Sequence, residues 1–249
     1  MFWDLRHAAE QPALLKGEAP PGLLSGPERT FLARLRFLPR RRDWVLGRYV
    51  AKALCRAWLK RHGEEVAADR LTIAAEEDGA PFALLAGRGR LPLTLSISHR
   101  AGAALCALAE PEQLPLGADL ELCETHSPLF AQDFFTESEA RVAREAGGCR
   151  VETEIWCVKE AALKATRQGL TADTRSVEIT PRASPASGWG TAEVRFARKL
   201  PTLAFVRDEG PLIAALVLTT RASEPNGELR GFDPLSPPVN ATSLRVAHR

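Results

Sequence analysis

Residues 117–121 read GADLE and residues 156–164 read WCVKEAALK, and these two stretches decide the fold and the chemistry expected of the chain. The first places two carboxylates one residue apart within an apolar run, which is typical of a strand. The second places a carboxylate and an ammonium group four residues apart in a helical run. If the two stretches meet in space, they supply three oxygen ligands and a nearby cation. Such a set is suited to holding Mg²⁺ on a phosphorylated substrate.

Asp119 and Glu121 form the first half of this candidate site. Because they occupy positions i and i+2 of a predicted strand, both side chains leave the same face. Two neighbouring carboxylates repel unless a cation lies between them, which favours a metal site. The alternative is an exposed strand face that happens to be acidic, and the motif alone does not exclude it.

Glu160 and Lys164 form the second half, at positions i and i+4 of one helix face. Taken alone, the pair is better explained as a surface ion pair worth about 0.3–0.5 kcal/mol. Trp156 and Leu163 supply the apolar anchor of this helix. The two segments therefore indicate a site only in combination.

The overall charge is balanced, but the arginines are not evenly spread. The 249 residues carry 33 Lys and Arg against 31 Asp and Glu, a formal net charge of +2, which is typical of a soluble protein and argues against a nucleic-acid coat. Seven arginines crowd into one stretch: Arg29, Arg34, Arg36, Arg40, Arg41, Arg42 and Arg48. The stretch is either a phosphate-binding patch or a solvated basic helix face.

Targeting and redox signals point to an intracellular protein. Cys55, Cys106 and Cys157 sit among apolar residues, which predicts reduced, mostly buried thiols of a cytosolic protein. Residues 1–16 are interrupted by charges and do not form a secretory signal, and no apolar run is long enough to cross a bilayer. We therefore expect no membrane contact.

Periodicity and turn residues predict alternating helices and strands. Residues 1–28 read as an irregular lead-in with one strand, and Arg100-Ala101-Gly102 as a turn between two antiparallel strands. Helices are predicted over 28–62, 130–146 and 152–168, the last one closed by Gly169. Strands are predicted over 71–73, 93–98, 101–109, 116–122, 176–180, 192–196, 202–205 and 212–218, the third of these with a helix as the alternative. Residues 223–249 are rich in Pro, Ser and Asn and predict a disordered tail.

Taken in order, these pieces resemble the 4′-phosphopantetheinyl transferases, specifically the larger monomeric type that activates peptide and polyketide synthetases. The resemblance covers roughly residues 28–180, with general similarity to about residue 220. The matching pieces are LGR at 46–48, GAP at 79–81, SISH at 96–99, GADLE at 117–121, FFTESE at 134–139 and WCVKEAALK at 156–164.

The resemblance implies an α+β fold of two similar halves related by a pseudo-two-fold, with the active site in the cleft between them. Residues 1–112 would form the half that contacts the nucleotide of coenzyme A. Residues 113–222 would form the half with the metal and catalytic residues. It further implies transfer of the phosphopantetheine arm of coenzyme A to a serine of an acyl or peptidyl carrier protein, with release of adenosine 3′,5′-bisphosphate, by a cytoplasmic monomer.

The same resemblance implies roles for individual residues. Asp119, Glu121 and Glu160 would hold Mg²⁺ against the pyrophosphate, and Glu160 would also act as base toward the carrier serine. Lys164 would neutralise charge on the pyrophosphate. His99 would contact a coenzyme A phosphate as a catalytic and binding residue, with Ser98 beside it, although a lone histidine is equally explained by a structural role. The 3′-phosphate would be held by the arginines of the basic stretch: Arg40, Arg41, Arg42 or Arg48.

Two departures from the family pattern are visible. Ala80 stands where the family often has a basic residue, so a nucleotide contact would be lost or moved to Arg88 or Arg90. Ser96 stands where an asparagine is common. Two other interpretations remain: an inert relative that binds coenzyme A or carrier proteins, and an unrelated soluble domain whose acidic and basic pairs are surface charges.

Overall fold

The computed structural model describes residues 1–110, 115–127, 129–168, 172–181 and 188–219, together with the backbone of 239–240. The fold is α+β, as the sequence predicts. The chain divides into two compact units, one of Met1–Gln113 with Pro238–Arg249 and one of Leu114–Pro237.

The first unit packs one long helix on an antiparallel sheet. Its helices are α1 (Pro12–Leu15), α2 (Gly26–Arg34) and α3 (Leu38–Arg61), and its strands are β1 (Phe2–His7), β2 (Leu71–Ala75), β3 (Pro81–Leu85), β4 (Gly89–Arg90), β5 (Thr94–Arg100) and β6 (Ala103–Ala109). The strands form the sheets β1-β6-β5 and β2-β3-β4. Helix α3 covers β1, β5 and β6 and buries an apolar face that includes Val50, Leu54 and Cys55.

The second unit repeats this plan on a single sheet. Its elements are β7 (Leu116–Leu122), α4 (Phe130–Phe134), α5 (Glu137–Ala146), α6 (Arg150–Ala165), β8 (Val177–Thr180), β9 (Gly190–Phe196), β10 (Thr202–Glu209) and β11 (Leu212–Thr219). The sheet order is β7-β11-β10-β9-β8. Helix α6 packs chiefly on β7 and β11 and buries Cys157, Val158 and Ala161.

The order and pairing of the elements correspond between the units. In each, the first strand pairs antiparallel with the last, β1 with β6 and β7 with β11. The last two strands form a hairpin, as do the two strands that follow the long helix. Within the second unit the two hairpins join through β9 and β10, whereas in the first unit β2 and β3 belong to a separate sheet.

A buried lysine–glutamate pair supports the first unit. Glu28 completes a capping box at the start of α2 by accepting a hydrogen bond from the backbone N–H of Ser25. Its carboxylate also accepts a hydrogen bond from the backbone N–H of Ile73 and forms an ion pair with Lys52 of α3. The Lys52 ammonium donates to the carbonyl oxygens of Leu23 at 2.8 Å and Ala68 at 3.2 Å. One ion pair therefore links two helices and a strand.

The second unit contains the same arrangement. Glu139 completes the capping box of α5 at Thr136, accepts a hydrogen bond from the backbone N–H of Ile179 and lies 2.9 Å from the Lys159 ammonium of α6. Lys159 donates to the carbonyl oxygen of Thr174, the first residue of a 3₁₀ turn, as Lys52 does to that of Ala68. Both lysines are fully buried. Unsatisfied buried charge is costly, so these contacts fix the local structure strongly.

Most predicted elements are present with shifted ends, and the strand interpretation of 101–109 is confirmed by β6. Two predicted helices are divided. The helix predicted over 28–62 breaks before α3, where Pro39 starts the new helix, and the helix predicted over 130–146 breaks at Thr136, which caps α5. Gly169, the predicted stop of α6, lies outside the described residues.

Part of the predicted tail has backbone structure. Val239–Asn240 form a short strand, β12, parallel to β1 and paired with Phe2 and Trp3. The rest of residues 223–249 lies outside the described residues. Among the described helices, none is long and apolar enough to cross a lipid bilayer.

Candidate active site

Helix α6 lies in backbone contact with β7, and Gly117 makes this possible. A Cβ atom at Gly117 would lie 1.8 Å from the carbonyl oxygen of Ala161 and 2.8 Å from the backbone nitrogen of Ala165. Only glycine therefore fits between the strand and the helix. The two sequence stretches that predict the site are brought together at this contact.

The close approach places Lys164 of α6 against Asp119 of β7. The Lys164 ammonium lies 2.6 Å from an Asp119 carboxylate oxygen and donates to the carbonyl oxygen of Ala118 at 3.2 Å. Asp119 is buried, whereas the Lys164 side chain is 32% exposed. Burial disfavours the charged form of Lys164, but the carboxylates of Asp119 and Glu160 outweigh it and raise its pKa. Lys164 therefore stays cationic.

Glu160 is electrostatically coupled to the same group. Burial raises the pKa of Glu160 to about 7, and the negative charges of Asp119 and Glu121 add to this effect while Lys164 opposes it. A carboxylate with such a pKa exchanges protons near neutral pH, which suits a general base. Asp119 and Glu121 are thus close enough to Glu160 to influence its charge.

The carboxylate oxygens of Asp119, Glu121 and Glu160 are the type of ligand that a hard divalent cation prefers. Burial raises the pKa of Glu160, and repulsion from Asp119 and Glu121 raises it further; a cation bound among these carboxylates would relieve the repulsion. Within the residues that the structure describes, however, no group of three His, Cys, Asp or Glu side chains is already arranged to hold a metal ion. Asp119 is instead engaged by Lys164. Metal binding would therefore require side-chain rearrangement.

His99 and the arginine stretch lie together in the first unit. His99 lies at the end of β5, where its Nδ1 atom is 3.8 Å from a carboxylate oxygen of Asp43 on α3, and it is about half exposed. Asp43 directly follows Arg42 in the sequence. Ser98, the preceding strand residue, is buried. The fold therefore brings the predicted histidine near the first turns of α3.

The four candidate arginines have different environments. Arg40 and Arg42 are exposed. Arg41 donates to the carbonyl oxygens of Leu32 at 2.9 Å and Leu35 at 2.8 Å, and so closes the C-terminus of α2. Arg48 stacks on the Trp44 ring, and burial lowers its pKa to about 10.

The two arginines considered as substitutes at the Ala80 position are engaged in ion pairs. Arg88 bonds Glu64 at 2.7 Å, and Arg90 pairs with Glu76 and lies over the Phe82 ring. Both are partly exposed, so a phosphate would compete with these acidic partners.

Sequence reasoning missed several charged residues that the structure places in specific contacts. The buried pairs Lys52–Glu28 and Lys159–Glu139 were not predicted, although the capping-box patterns at 25–28 and 136–139 signal both glutamates. His126, given no role from sequence, accepts or donates a 2.7 Å hydrogen bond with Glu152 and stacks on Phe130. No local sequence signal marks that contact.

Residues 115–200 match the family model described as the 4′-phosphopantetheinyl transferase superfamily. This stretch of the chain is therefore similar to that superfamily. The match spans β7 to β9 and so contains Asp119, Glu121, Glu160 and Lys164. No curated protein matches the chain. The matched stretch therefore includes these four residues, and the resemblance seen in the sequence is confirmed over residues 115–200 at the level of the superfamily.

Proposed function

We propose that this protein transfers the 4′-phosphopantetheine arm of coenzyme A to a serine of an acyl or peptidyl carrier protein, releasing adenosine 3′,5′-bisphosphate. One observation carries the proposal. Within the stretch that matches the superfamily, β7 and α6 hold three carboxylates and Lys164 in one neighbourhood. An unrelated domain with scattered surface charges would not show this coupling.

The proposed metal ligands are Asp119, Glu121 and Glu160, whose oxygen donors suit Mg²⁺. When bound, the ion would neutralise charge on the pyrophosphate and orient it. Phosphoryl-group transfer depends mainly on positioning and charge stabilisation, so the residues around the pyrophosphate matter most.

Glu160 is the proposed base, acting on the carrier serine directly or through a water. It accepts the hydroxyl proton as the serine oxygen forms a bond to the β-phosphorus of coenzyme A. The bond from that phosphorus to the adenosine-bearing phosphate breaks, and adenosine 3′,5′-bisphosphate leaves. Lys164, which stays cationic beside Asp119, stabilises the charge on the leaving phosphate and can return a proton to it.

His99 and Ser98 are the proposed contacts to a coenzyme A phosphate. Among the four arginines, Arg40 and Arg42 are the proposed ligands of the 3′-phosphate, because they are exposed. Arg41 closes the end of α2, and Arg48 stacks on Trp44. A phosphate would have to displace those contacts first.

We further propose that the two units are the similar halves of the family's fold and that the enzyme is a cytoplasmic monomer. The correspondence of strand pairing and of the buried lysine–glutamate pairs supports the first statement. Carrier domains of peptide or polyketide synthetases are the proposed partners, in secondary metabolism.

The test is the intact mass of an apo carrier protein after incubation with this protein, coenzyme A and Mg²⁺. We expect a gain of one phosphopantetheine that a chelator prevents and added Mg²⁺ restores. Arg40→Ala combined with Arg42→Ala should raise KM for coenzyme A more than for its 3′-dephospho analogue. The matched control is Arg36→Ala, which removes an exposed arginine from the loop between α2 and α3.

The alternative is an inert relative that binds coenzyme A or a carrier protein. It would be favoured by coenzyme A binding without mass gain on acyl, peptidyl and polyketide carriers alike. If neither binding nor transfer occurs, the proposed function is wrong.

A further inference from the structure

Cys123 and Cys149 form a disulfide in the second unit. Cys123 is the first residue after β7, and Cys149 is the N-cap residue of α6. Their Cα atoms are 5.7 Å apart, inside the ordinary range for a disulfide, and 26 positions separate them in the sequence. Both residues are partly exposed, so a small thiol or a redox protein can reach the bond.

The bond joins the two elements that carry the candidate active site. Strand β7 bears Asp119 and Glu121, and helix α6 bears Glu160 and Lys164. The backbone contact at Gly117 fixes one end of this strand–helix pair, and the disulfide fixes the other. With both ends held, the carboxylates on the strand have a defined distance from those on the helix.

The start of α6 has few other restraints. Its N-cap makes no side-chain hydrogen bond, and the two residues before it, Gly147 and Gly148, both have positive φ. Arg150 pairs with Asp208, but both side chains are about half exposed, and such pairs contribute little. Besides the disulfide, this helix end is held by the Glu152–His126 hydrogen bond, by a hydrogen bond from Arg150 to the carbonyl oxygen of Gly210 and by packing of Val151 against the core. The disulfide is the one covalent restraint among these described contacts.

The remaining cysteines are unsuited to redox chemistry. Cys55, Cys106 and Cys157 are buried free thiols, as the sequence predicts, and burial raises the pKa of each. A buried thiol with a raised pKa is a poor nucleophile. Oxidation and reduction would therefore act selectively on the Cys123–Cys149 pair.

We propose that Cys123 and Cys149 are a reversible redox site that controls the order of the first turns of α6 and, through it, the geometry of the carboxylate cluster. In the oxidation step two thiols lose two electrons and two protons and form one S–S bond. A disulfide of the glutathione or thioredoxin class accepts them and becomes two thiols. In a reducing compartment such an exposed pair is typically redox-sensing rather than permanently bonded.

The effect on activity rests on the proposed function, but the effect on α6 does not. Reduction removes the covalent restraint, so the helix start should open more often. Small displacements of catalytic groups lower transfer rates strongly, since positioning accounts for much of the catalysis. The oxidised form should therefore be the more active one.

The experiment equilibrates the full chain in glutathione buffers of graded potential and reads three quantities. Differential alkylation with mass spectrometry reports the state of each cysteine. Amide hydrogen exchange at residues 153–156, where the hydrogen bonds of the helix begin, and the unfolding midpoint report order at the helix start. Carrier-protein mass gain reports transfer. Cys123→Ala and Cys149→Ala each remove the bond, and Cys55→Ala is the matched control.

We expect only the Cys123–Cys149 pair to change state, with exchange at residues 153–156 at least tenfold faster and the midpoint several degrees lower on reduction. The transfer rate should fall severalfold, and both alanine variants should lose this redox dependence while Cys55→Ala keeps it. The proposal would be overturned if Cys123 and Cys149 stay reduced in oxidising buffer. It would also be overturned if the hydrogen exchange rate at the start of α6 is the same in both redox states. Redox-dependent exchange without transfer in either state would support the redox site and count against the transferase.

Discussion

The two units share a scaffold but not a chemistry. In each, a buried lysine in the long helix bonds the capping-box glutamate of the preceding helix, and that glutamate binds the strand after the long helix. Glu160 and Lys164 lie one and five residues after Lys159. The residues one and five after Lys52 are Ala53 and Ala57. At these two helix positions the first unit therefore has alanines where the second unit has a carboxylate and an ammonium group.

The first strands of the two units, β1 and β7, also differ in their charged residues. In β1 the buried Asp4 is paired within its own strand to Arg6, at 3.1 Å. In β7 the corresponding pattern has two carboxylates, Asp119 and Glu121, and the balancing cation comes from the helix. The first strand thus pairs its buried aspartate with an arginine of the same strand, while the second pairs its buried aspartate with a lysine of the helix. Fold stability and the candidate site thus depend on different residues.

The largest expected effect is on transfer. Glu160→Gln removes the proposed base and a metal ligand, and we expect the transfer rate to fall by about 10²–10⁴-fold. The fold should remain and gain about 1 kcal/mol at pH 8, because burial and repulsion from neighbouring carboxylates raise the pKa of Glu160 to about 7. Carrier mass gain and urea denaturation measure the two effects.

Asp4→Asn is the matched control for this comparison. It weakens the ion pair with Arg6 in β1, so it should lower stability while leaving the transfer rate nearly unchanged. If Glu160→Gln unfolds the protein instead, its carboxylate has a structural role and the separation of scaffold from chemistry is wrong.

The next effect tests whether the two scaffolds are equivalent. Lys52→Met and Lys159→Met each leave a buried glutamate without its cation, and each should lower the free energy of unfolding by about 3–5 kcal/mol. Replacing both members, as in Lys159→Met with Glu139→Gln, should recover part of this loss. Denaturation by urea measures the free energies. A large loss of unfolding free energy for one lysine variant and almost none for the other would show that the two ion pairs contribute differently to stability.

Glycine substitutions should lower the stability of one unit and not of the other, with a smaller effect than the lysine substitutions. Gly117→Ala places a methyl group against the backbone of Ala161 and should lower stability by about 1–3 kcal/mol and reduce transfer, because β7 and α6 must move apart. Gly47→Ala on α3 meets only the Ile97 side chain, at 3.4 Å, and should be neutral or stabilising, since alanine favours a helix interior. Thermal unfolding and transfer assays distinguish the two, and equal effects would contradict the special contact at Gly117.

The smallest effect concerns Glu154, which has one buried carboxylate oxygen without a hydrogen-bond partner among the described residues. Burial raises its pKa from 4.5 to about 7. The folded protein thus binds this proton more tightly than the unfolded chain, so stability falls as pH rises from about 4.5 to about 7 and stays lower above that range.

Glu154→Gln should remove this part of the pH dependence and add about 1–2 kcal/mol at pH 8, after allowance for partial solvent exposure. Glu145→Gln, on the exposed face of α5, is the control and should change neither. Urea denaturation from pH 4 to pH 8 measures both. An unchanged profile in Glu154→Gln would show that the carboxylate is better solvated than its position indicates.

The amino-acid sequence by itself determined the elements and the chemical types of the site. Alternation placed Asp119 and Glu121 on one strand face, and the i, i+4 spacing placed Glu160 and Lys164 on one helix face. These are local properties of a regular backbone, so a sequence pattern reveals them. The divided helices were missed because Thr136 and Pro39 interrupt apolar periodicity without removing it.

Only the tertiary structure decided which side chains meet. The Asp119–Lys164 contact depends on Gly117 letting α6 touch β7, and the Cys123–Cys149 bond depends on the same strand and helix running side by side. The buried ion pairs join residues 20 or more positions apart. Local spacing carries no information about such distances, because they are set by how the helix packs on the sheet.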